Sequence, residues 1–587
     1  MKKFIIKLSL VLVIVMCCFS CSDMLDAEDD GRIEFDVIFS NRYKIESYYN
    51  SCITALIGPD LRSVAYCDEG QSSSFFEDNS VQLWYSGQIT ASNHSMNPFG
   101  GDPWSGAYSY IRRCNIFLEN IEKETAGLVA DEKAGWTSEV YAMRGYYYWQ
   151  LAKRYGGVPI FLEPLAATHD FSSDTKASFS DVVRQVIADC EKALEGPDTP
   201  LGYAWGYQDR LSGHLTPAGT HAVMSQAVTY AISPLWYDGS ITKEYAVQIT
   251  GRALYECLSH GYELFTSTSA EAQNAYALYF LTTDDKRSVD KETIYRVGGQ
   301  QSIWQNCGLP TTPGQTTANY CPTQNLVDSY EMQATGLAPI TGYSDKTKLI
   351  PKENLVSGYD PQNPYLGRDP RFDASIYYNG SIRYLNNPEG IKVETFEGGN
   401  EGIRNGDKKY SPTGYYLRKY NHYDSKQGNN KDGTMRQFRL AELYLNFAEA
   451  AYQSQGPDVK IQIGPNMSMS ARDAVNAVRA RAGMPAFPEG MSTGDFENKY
   501  RNERRVELAF EGHRPFDVRR WKILNETDSF ISGMRIEQGS TFTYSRFNFE
   551  ERKCNTDKFL MFPIDKTELY KIQKQTGQNW QNPGWDF

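Results

Sequence analysis

Residues 439–453, RLAELYLNFAEAAYQ, decide the fold. Leu440, Leu443, Tyr444, Phe447, Ala448 and Ala451 recur at steps of three and four, the period that draws one apolar stripe along an α-helix. Working outward, ARDAVNAVRARAGMP (471–485) predicts a shorter helix ended by Gly483 and Pro485, and FENKYRNERRVELAFEGHRPFDVRRW (496–521) continues the helical block. Upstream, WSGAYSYIRRCNIFLENI (104–121) carries Trp104, Tyr108, Ile111, Leu118 and Ile121 at helical spacing. SEVYAMRGYYYWQLAKRYGGVPIF predicts a helix from about Ser138 to Tyr155, ended by Gly156, Gly157 and Pro159. Its aromatic run covers more than one face, so it should be buried on most sides. SFSDVVRQVIADCEKAL (178–194) starts at a capping Ser178 or Ser180. Further helices are expected over Pro217–Ser233, stopped by Pro234, and over roughly Lys243–His260. These paired helices have tetratricopeptide-like lengths and point to a partial solenoid whose repeat is too degenerate for strict self-similarity.

Between about Phe265 and Gln437 the pattern changes to Gly, Pro, Asn and Thr punctuation with short β-like pieces. Loops of this length are uncommon unless they bind something or are disordered, and their Trp and Tyr content argues against disorder. The fold class is mainly α, with a helical-repeat scaffold and an irregular loop-rich region for a ligand. The expected organisation is a scaffold over 31–264, the loop-rich region over 265–437 and a C-terminal helical region over 438–587, with 21–587 forming one body.

The first residues, MKKFIIKLSLVLVIVMCCFSC, read as a signal peptide over 1–20: Lys2 and Lys3, an apolar run from Leu8 to Phe19, then Ser20. That run is shorter than the roughly 20 residues of a spanning helix. Cys21 stands where lipoprotein processing would place an acylated N-terminus, and the acidic stretch to residue 30 would be its tether. Acyl chains would then be the membrane contact, each buried methylene contributing about 0.8 kcal/mol. The alternative is a secreted protein with an ordinary cleavage site. The net charge of -12, without a basic block, argues against nucleic acid as a partner. None of the eight cysteines after Cys21 belongs to a CxxC pair, no HExxH or HxH pattern marks a metal site, and His214 and His221 lie seven apart. GNNKDG at 428–433 fails as an EF-hand, because position twelve would be Arg439. No Walker A or GxSxG sequence occurs, and no cofactor is implied. Cys114 and Cys190 fall at apolar helical positions, while Cys307 and Cys321 flank a loop and could pair.

Two constellations bear on function. Glu503, Glu507 and Glu511 share a helix face at i, i+4 spacing, and a glycosidase needs two carboxylates in an open cleft. Arg501, Arg504, Arg505, Arg514, Arg519 and Arg520 surround them in sequence, which favours structural ion pairing over proton donation. The second is aromatic. Tyr, Phe and Trp make 13% of the chain, more than a core alone calls for. Trp84 and Tyr85 lie in VQLWYSGQITASNHS, Trp304 in GGQQSIWQNCG and Tyr320 beside Cys321 and Pro322, in neighbourhoods of Gly, Ser, Asn and Gln. These four rings are the candidate glycan-stacking residues. Against that, a single Trp is as readily a plug in the scaffold.

In these blocks the chain resembles the SusD/RagB family of Bacteroidota outer-membrane lipoproteins, nearly end to end. The resemblance rests on Cys21, AMRGYYYWQLAKRYGGVPIF (142–161), FSDVVRQVIADCEKAL (179–194), YAISPLW (230–236), FRLAELYLNFAEA (438–450), AVNAVRARAGMP (474–485), NERRVELAFEGHRPFDVRRW (502–521), FPI (562–564) and QNPGW (581–585). It departs from the family in TPAGTHAVMSQA, where Pro217, His221 and Gln226 replace more uniform helix formers. The resemblance implies a non-enzymatic, lipid-anchored protein on the outer face of the outer membrane. Such a protein captures oligosaccharides or polysaccharides and acts as a lid over a SusC-like TonB-dependent transporter. Two other readings stay open: a structural lid or adhesin without its own glycan site, and a glycoside hydrolase using Glu503 and Glu507.

Overall fold

The computed structural model describes residues 35–585 apart from 54–60, 75–78, 95–102, 167, 197–202, 204, 206–213, 270–273, 282–289, 297–301, 384–389 and 550. Cys21 and the segment read as signal peptide and tether lie outside the described residues.

After a single turn at Phe35–Phe39, the longer helices of the scaffold, in chain order, are α1 (Arg42–Ile53), α2 (Asn79–Tyr85), α3 (Pro103–Asn120), α4 (Ala130–Tyr155), α5 (Phe179–Leu194), α6 (Pro217–Ala231) and α7 (Lys243–Ser259). After the loop-rich stretch, which holds the short α8 (Ile303–Cys307), come α9 (Leu440–Gln455), α10 (Ala471–Ala482), α11 (Thr493–Glu507), α12 (Arg514–Arg520) and α13 (Lys566–Thr576). Neighbours in this series pack side by side, α3 on α4, α4 on α5, α5 on α6, α6 on α7, and the array then resumes with α9 on α7 and α10 on α9. The loop-rich stretch is therefore an insertion into one helical array.

The caps follow the local chemistry. Ser178, Thr216, Thr242 and Ser492 accept backbone N–H bonds at their helix starts, and Ser470 with Asp473 forms a reciprocal capping box on α10. Gly483 closes α10 in a left-handed conformation, φ 75°. α4 starts eight residues before the expected Ser138. Asp131 and Glu132 occupy its first turn, where they favour the positive end of the helix dipole. Trp136 anchors that extra segment by stacking on Tyr49 at 5.1 Å. The block expected to continue through residue 521 is broken after Glu507, where Phe510 and Gly512 take positive φ before α12.

The departure in α6 has a physical reason. Every described residue of α6 is buried, and Gln226 bridges helices: its Oε1 accepts from Trp149 Nε1 at 2.9 Å and its Nε2 donates to Glu442 at 2.6 Å. Burial depresses the His221 imidazole to about 3, so it stays neutral in this core.

Six two-stranded antiparallel ribbons complete the described residues. Three matter below: β1 (Gly70–Ser72) pairs with β3 (Tyr320–Pro322), β2 (Thr293–Tyr295) with β4 (Phe438–Arg439), and β5 (Ser532–Gln538) with β6 (Phe542–Asn548). One large apolar cluster fills the helical array, and a second, around Tyr276, Phe280, Phe372 and Tyr420, fills the loop-rich part. Cys321 is a buried thiol facing the Ala318 carbonyl and does not bridge to Cys307. No helix among the described residues is long and apolar enough to cross a membrane.

Candidate functional site

The four aromatic candidates do not come together as one platform. Trp84 and Tyr85 sit at the end of α2, not in a loop, and are 1% and 2% exposed. Trp84 packs between Tyr66 at 5.5 Å, Phe559 at 5.4 Å and Trp585 at 6.3 Å, centroid to centroid. Tyr85 donates its hydroxyl to the Ala65 carbonyl at 2.7 Å, and the Arg552 guanidinium lies 4.1 Å over its ring. Burial pushes that hydroxyl up to about 12. Both rings are core, and neither offers a sugar an open face.

Trp304 and Tyr320 lie in the loop-rich part and are joined by a short path of hydrogen bonds. Tyr320 opens β3, paired opposite Ser72, and its ring is half-buried between the two apolar clusters. Just before it, the Asn319 carbonyl accepts from Ser73 N at 2.7 Å and the Asn319 amide oxygen accepts from Ser74 Oγ. Thr316 donates its backbone N–H to the Gln305 carbonyl at 2.8 Å, which ties this strand to α8 and so to Trp304. Ser302 accepts from Asn430, and Gln427 donates its backbone N–H to Pro313, drawing in the 426–430 turn. The result is a shelf of amides and hydroxyls on which Gln305, Asn306, Thr316, Gln427, Asn429 and Asn430 are exposed.

Trp304 itself is only 6% exposed. Gly314, at φ +88°, lets the chain pass over its ring edge. A Cβ there would stand 3.3 Å from the ring and 2.7 Å from the Gln427 Cβ. Among the described residues the buried indole N–H of Trp304 has no acceptor, a state that costs about 1–3 kcal/mol unless water or a ligand oxygen reaches it.

Sequence reading missed Asp432, the group that fixes this shelf from below. Its two carboxylate oxygens accept the Trp304 and His422 backbone N–H groups at 2.7 and 2.9 Å. It belongs to the GNNKDG turn examined for calcium, and the signal was there in a carboxylate that closes a polar turn. Burial raises its carboxyl to about 6, with Ser425 and the backbone N–H bonds pulling the other way. An acid raised in the folded state binds its proton more tightly than in the unfolded chain. Its contribution to stability is therefore full below about pH 4 and falls as pH rises towards about 6. Carboxyl NMR should show Asp432 titrating near 6, and a midpoint at the ordinary 3.9 would refute the burial argument.

The carboxylate row is sealed. Arg439 donates to Glu507 at 2.7 Å, Glu511 at 2.7 Å and Glu292 at 2.8 Å. Arg371 donates to Glu503 at 2.6 Å and Glu507 at 2.9 Å, Arg479 to Glu503 at 2.6 Å, and Lys419 to Glu511 at 2.7 Å. Arg481 also reaches Glu507. The partners thus differ from the arginines next to the row in sequence. Arg505 and Arg514 bind Asp68, Arg504 binds Asp517, and Arg520 binds Asp517 and Glu449. Burial alone would raise the three glutamates, but the facing cations win and hold all three below the usual range, Glu511 at about 2. Such groups cannot donate a proton to a leaving oxygen near neutral pH. No group of three or more His, Cys, Asp or Glu side chains among the described residues is placed to hold a metal ion.

Comparison with known proteins agrees with this architecture. The family model described as SusD family matches residues 278–585, and one described as starch-binding, associating with outer membrane, matches residues 23–196. SusD-like protein P25 of Formosa agariphila is 21% identical over 540 residues, covering 87% of this chain and 89% of its own. A crystal structure of a SusD-like protein from Bacteroides fragilis superposes with a TM-score of 0.73 at 25% identity, covering 94% of this chain and 98% of that one. A laminarin binding SusD-like protein superposes with a TM-score of 0.57 at 19% identity, over 93% of this chain and 100% of that one. Surface glycan-binding protein A from Bacteroides fluxus gives 0.57 at 17% identity, with the same coverage. With the helical array, the inserted loops and a family model spanning more than half of the sequence in accord, the chain belongs to the SusD family.

Proposed function

We propose that the protein captures oligosaccharide or polysaccharide chains at the cell surface, without cleaving them, and passes them to a SusC-like TonB-dependent transporter. Acyl groups on Cys21 hold it on the outer face of the outer membrane. The observation that carries the binding role is the shelf beside Tyr320. It presents exposed amides and hydroxyls on hydrogen-bonded turns, four residues along the chain from the half-buried Tyr320 ring, and that combination suits a sugar with one apolar face and a hydroxyl rim. Family membership and glycan-binding neighbours of the same fold support it. The sealed glutamates support a role without hydrolysis.

A glycan array on the full chain tests the reading, followed by calorimetry with the best-bound oligosaccharide. Tyr320→Ala should weaken binding by about 1 kcal/mol, roughly fivefold, and the oligosaccharide should keep its length throughout. A second reading, a lid or adhesin without its own glycan site, is favoured by the burial of Trp84, Tyr85 and Trp304, and an array without any bound glycan would select it. Anchoring is checked by Cys21→Ala, which should release the protein from the membrane fraction. Unchanged fractionation would reject the lipid anchor.

A further inference from the structure

The helical array carries a groove that shares no residue with the shelf. It lies between α3, residues 159–166 with Phe171, and α13, and holds about 440 Å³, within the range of small-ligand sites. Its apolar lining includes five rings, of which Trp104 and Trp580 are nearly buried, at 5% and 6% exposed, while Tyr108, Phe161 and Phe171 are half-buried and turn more of their surface to the groove. Trp104 meets Tyr108 edge to face at 5.4 Å, and Tyr108 meets Phe161 at 6.0 Å. The polar tips of these rings are spent on the protein. Tyr108 donates its hydroxyl to the Pro159 carbonyl at 2.8 Å, and Trp580 donates Nε1 to Gln578 at 2.9 Å. Asn115 is spent as well, donating to the Phe161 and Glu163 carbonyls and accepting from Arg144. It shapes the wall.

The mouth is different. Arg112, Glu163 and Gln575 are exposed there, and Arg112 commits one N–H to the Leu165 carbonyl out of the five a guanidinium carries. The charges lining the groove balance in number: Lys571 is paired with Glu568 at 2.6 Å, and Arg112 and Glu163 carry one charge of each sign. A floor of ring carbon under a charge-balanced rim of planar hydrogen-bonding groups does not select an anion. An acyl chain would leave the rim unused. A neutral pyranose, with an apolar C–H face and a belt of hydroxyls, uses both.

We propose that this groove is a second saccharide-binding site, taking a short neutral segment of the same polymer as the shelf. The proposal rests on the glycan-capture reading and adds bivalency to it: two sites on one protein raise the effective affinity for a long chain without any new contact.

The test uses the full chain with maltohexaose, laminarihexaose, cellohexaose and mannohexaose, read by calorimetry and saturation-transfer NMR. Ala166, exposed at the groove, allows a filling variant, Ala166→Trp, and Arg112→Ala with Gln575→Ala strips the rim without filling it. The best-bound hexaose should bind with a stoichiometry of two. Either groove variant should weaken one event at least tenfold, and Tyr320→Ala should weaken only the other. A stoichiometry of one that Tyr320→Ala weakens and neither groove variant touches overturns the second site and leaves glycan capture standing. Absence of hexaose binding overturns both. Dodecanoate uptake blocked by Ala166→Trp, with no hexaose at the groove, overturns the saccharide assignment in favour of an acyl ligand.

Discussion

Trp84→Ala should lower the stability of the folded protein by about 3–5 kcal/mol in chemical unfolding and leave the oligosaccharide affinity of the folded fraction unchanged. The ring is almost wholly enclosed and touches Tyr66, Phe559, Phe562 and Trp585, which come from three separate parts of the chain. Removing it costs the transfer free energy of the indole and also the cavity left behind, because rings anchored elsewhere close in only partly. A loss below about 1 kcal/mol accompanied by lost sugar binding would restore Trp84 as a contact residue.

The other large effect is expected in the ion-pair network. Glu507→Ala should cost about 3–5 kcal/mol, since it leaves Arg439, Arg371 and Arg481 buried beside a missing anion. Breaking such a pair is far more damaging than replacing it whole. The depressed glutamates also set a pH limit. Their folded-state values lie below the ordinary 4.3, so their contribution is complete above that range and is lost as pH falls through the folded values, about 2 for Glu511. Denaturant midpoints measured from pH 7 down to pH 2 should fall most steeply below about pH 4. A Glu507→Ala protein as stable as the parent, or one whose parent cleaves oligosaccharide in a Glu507-dependent manner, would contradict the sealed-network account.

The helical array was legible because its signals are local. The stripe of Leu440, Leu443, Tyr444 and Phe447 and the stop at Gly483 each need only a few neighbouring residues to be read. Trp84 and Tyr85 were misread because Gly, Ser and Asn follow them, although Val81, Trp84 and Tyr85 already stand at i, i+3 and i+4 of a short helix. The partners of the glutamate row were not legible at all. Arg371 lies 132 residues from Glu503, and Arg439 lies 68 from Glu507, so only the fold could choose them over the arginines next door. The shelf shares that limit. In sequence Tyr320 is only an aromatic beside Cys321 and Pro322, whereas its pairing with Ser72 and the bond from Trp304 to Asp432 are long-range facts.

That long reach has a consequence for how the chain is made and delivered. Asp68 is held by Arg514, 446 positions away, and the Cys67 carbonyl accepts from Arg552, 485 positions away. Loop-closure entropy must be overcome before such contacts return anything, so topologies of this kind fold slowly. The β1 segment can pair with β3 once residue 322 is made, but the Cys67 and Gly70 carbonyls that lead into it wait for Arg552. A chain cut short before Arg552 would keep the β1–β3 ladder but leave the buried Cys67 and Gly70 carbonyls without their cation, a defect that opens the fold to proteolysis.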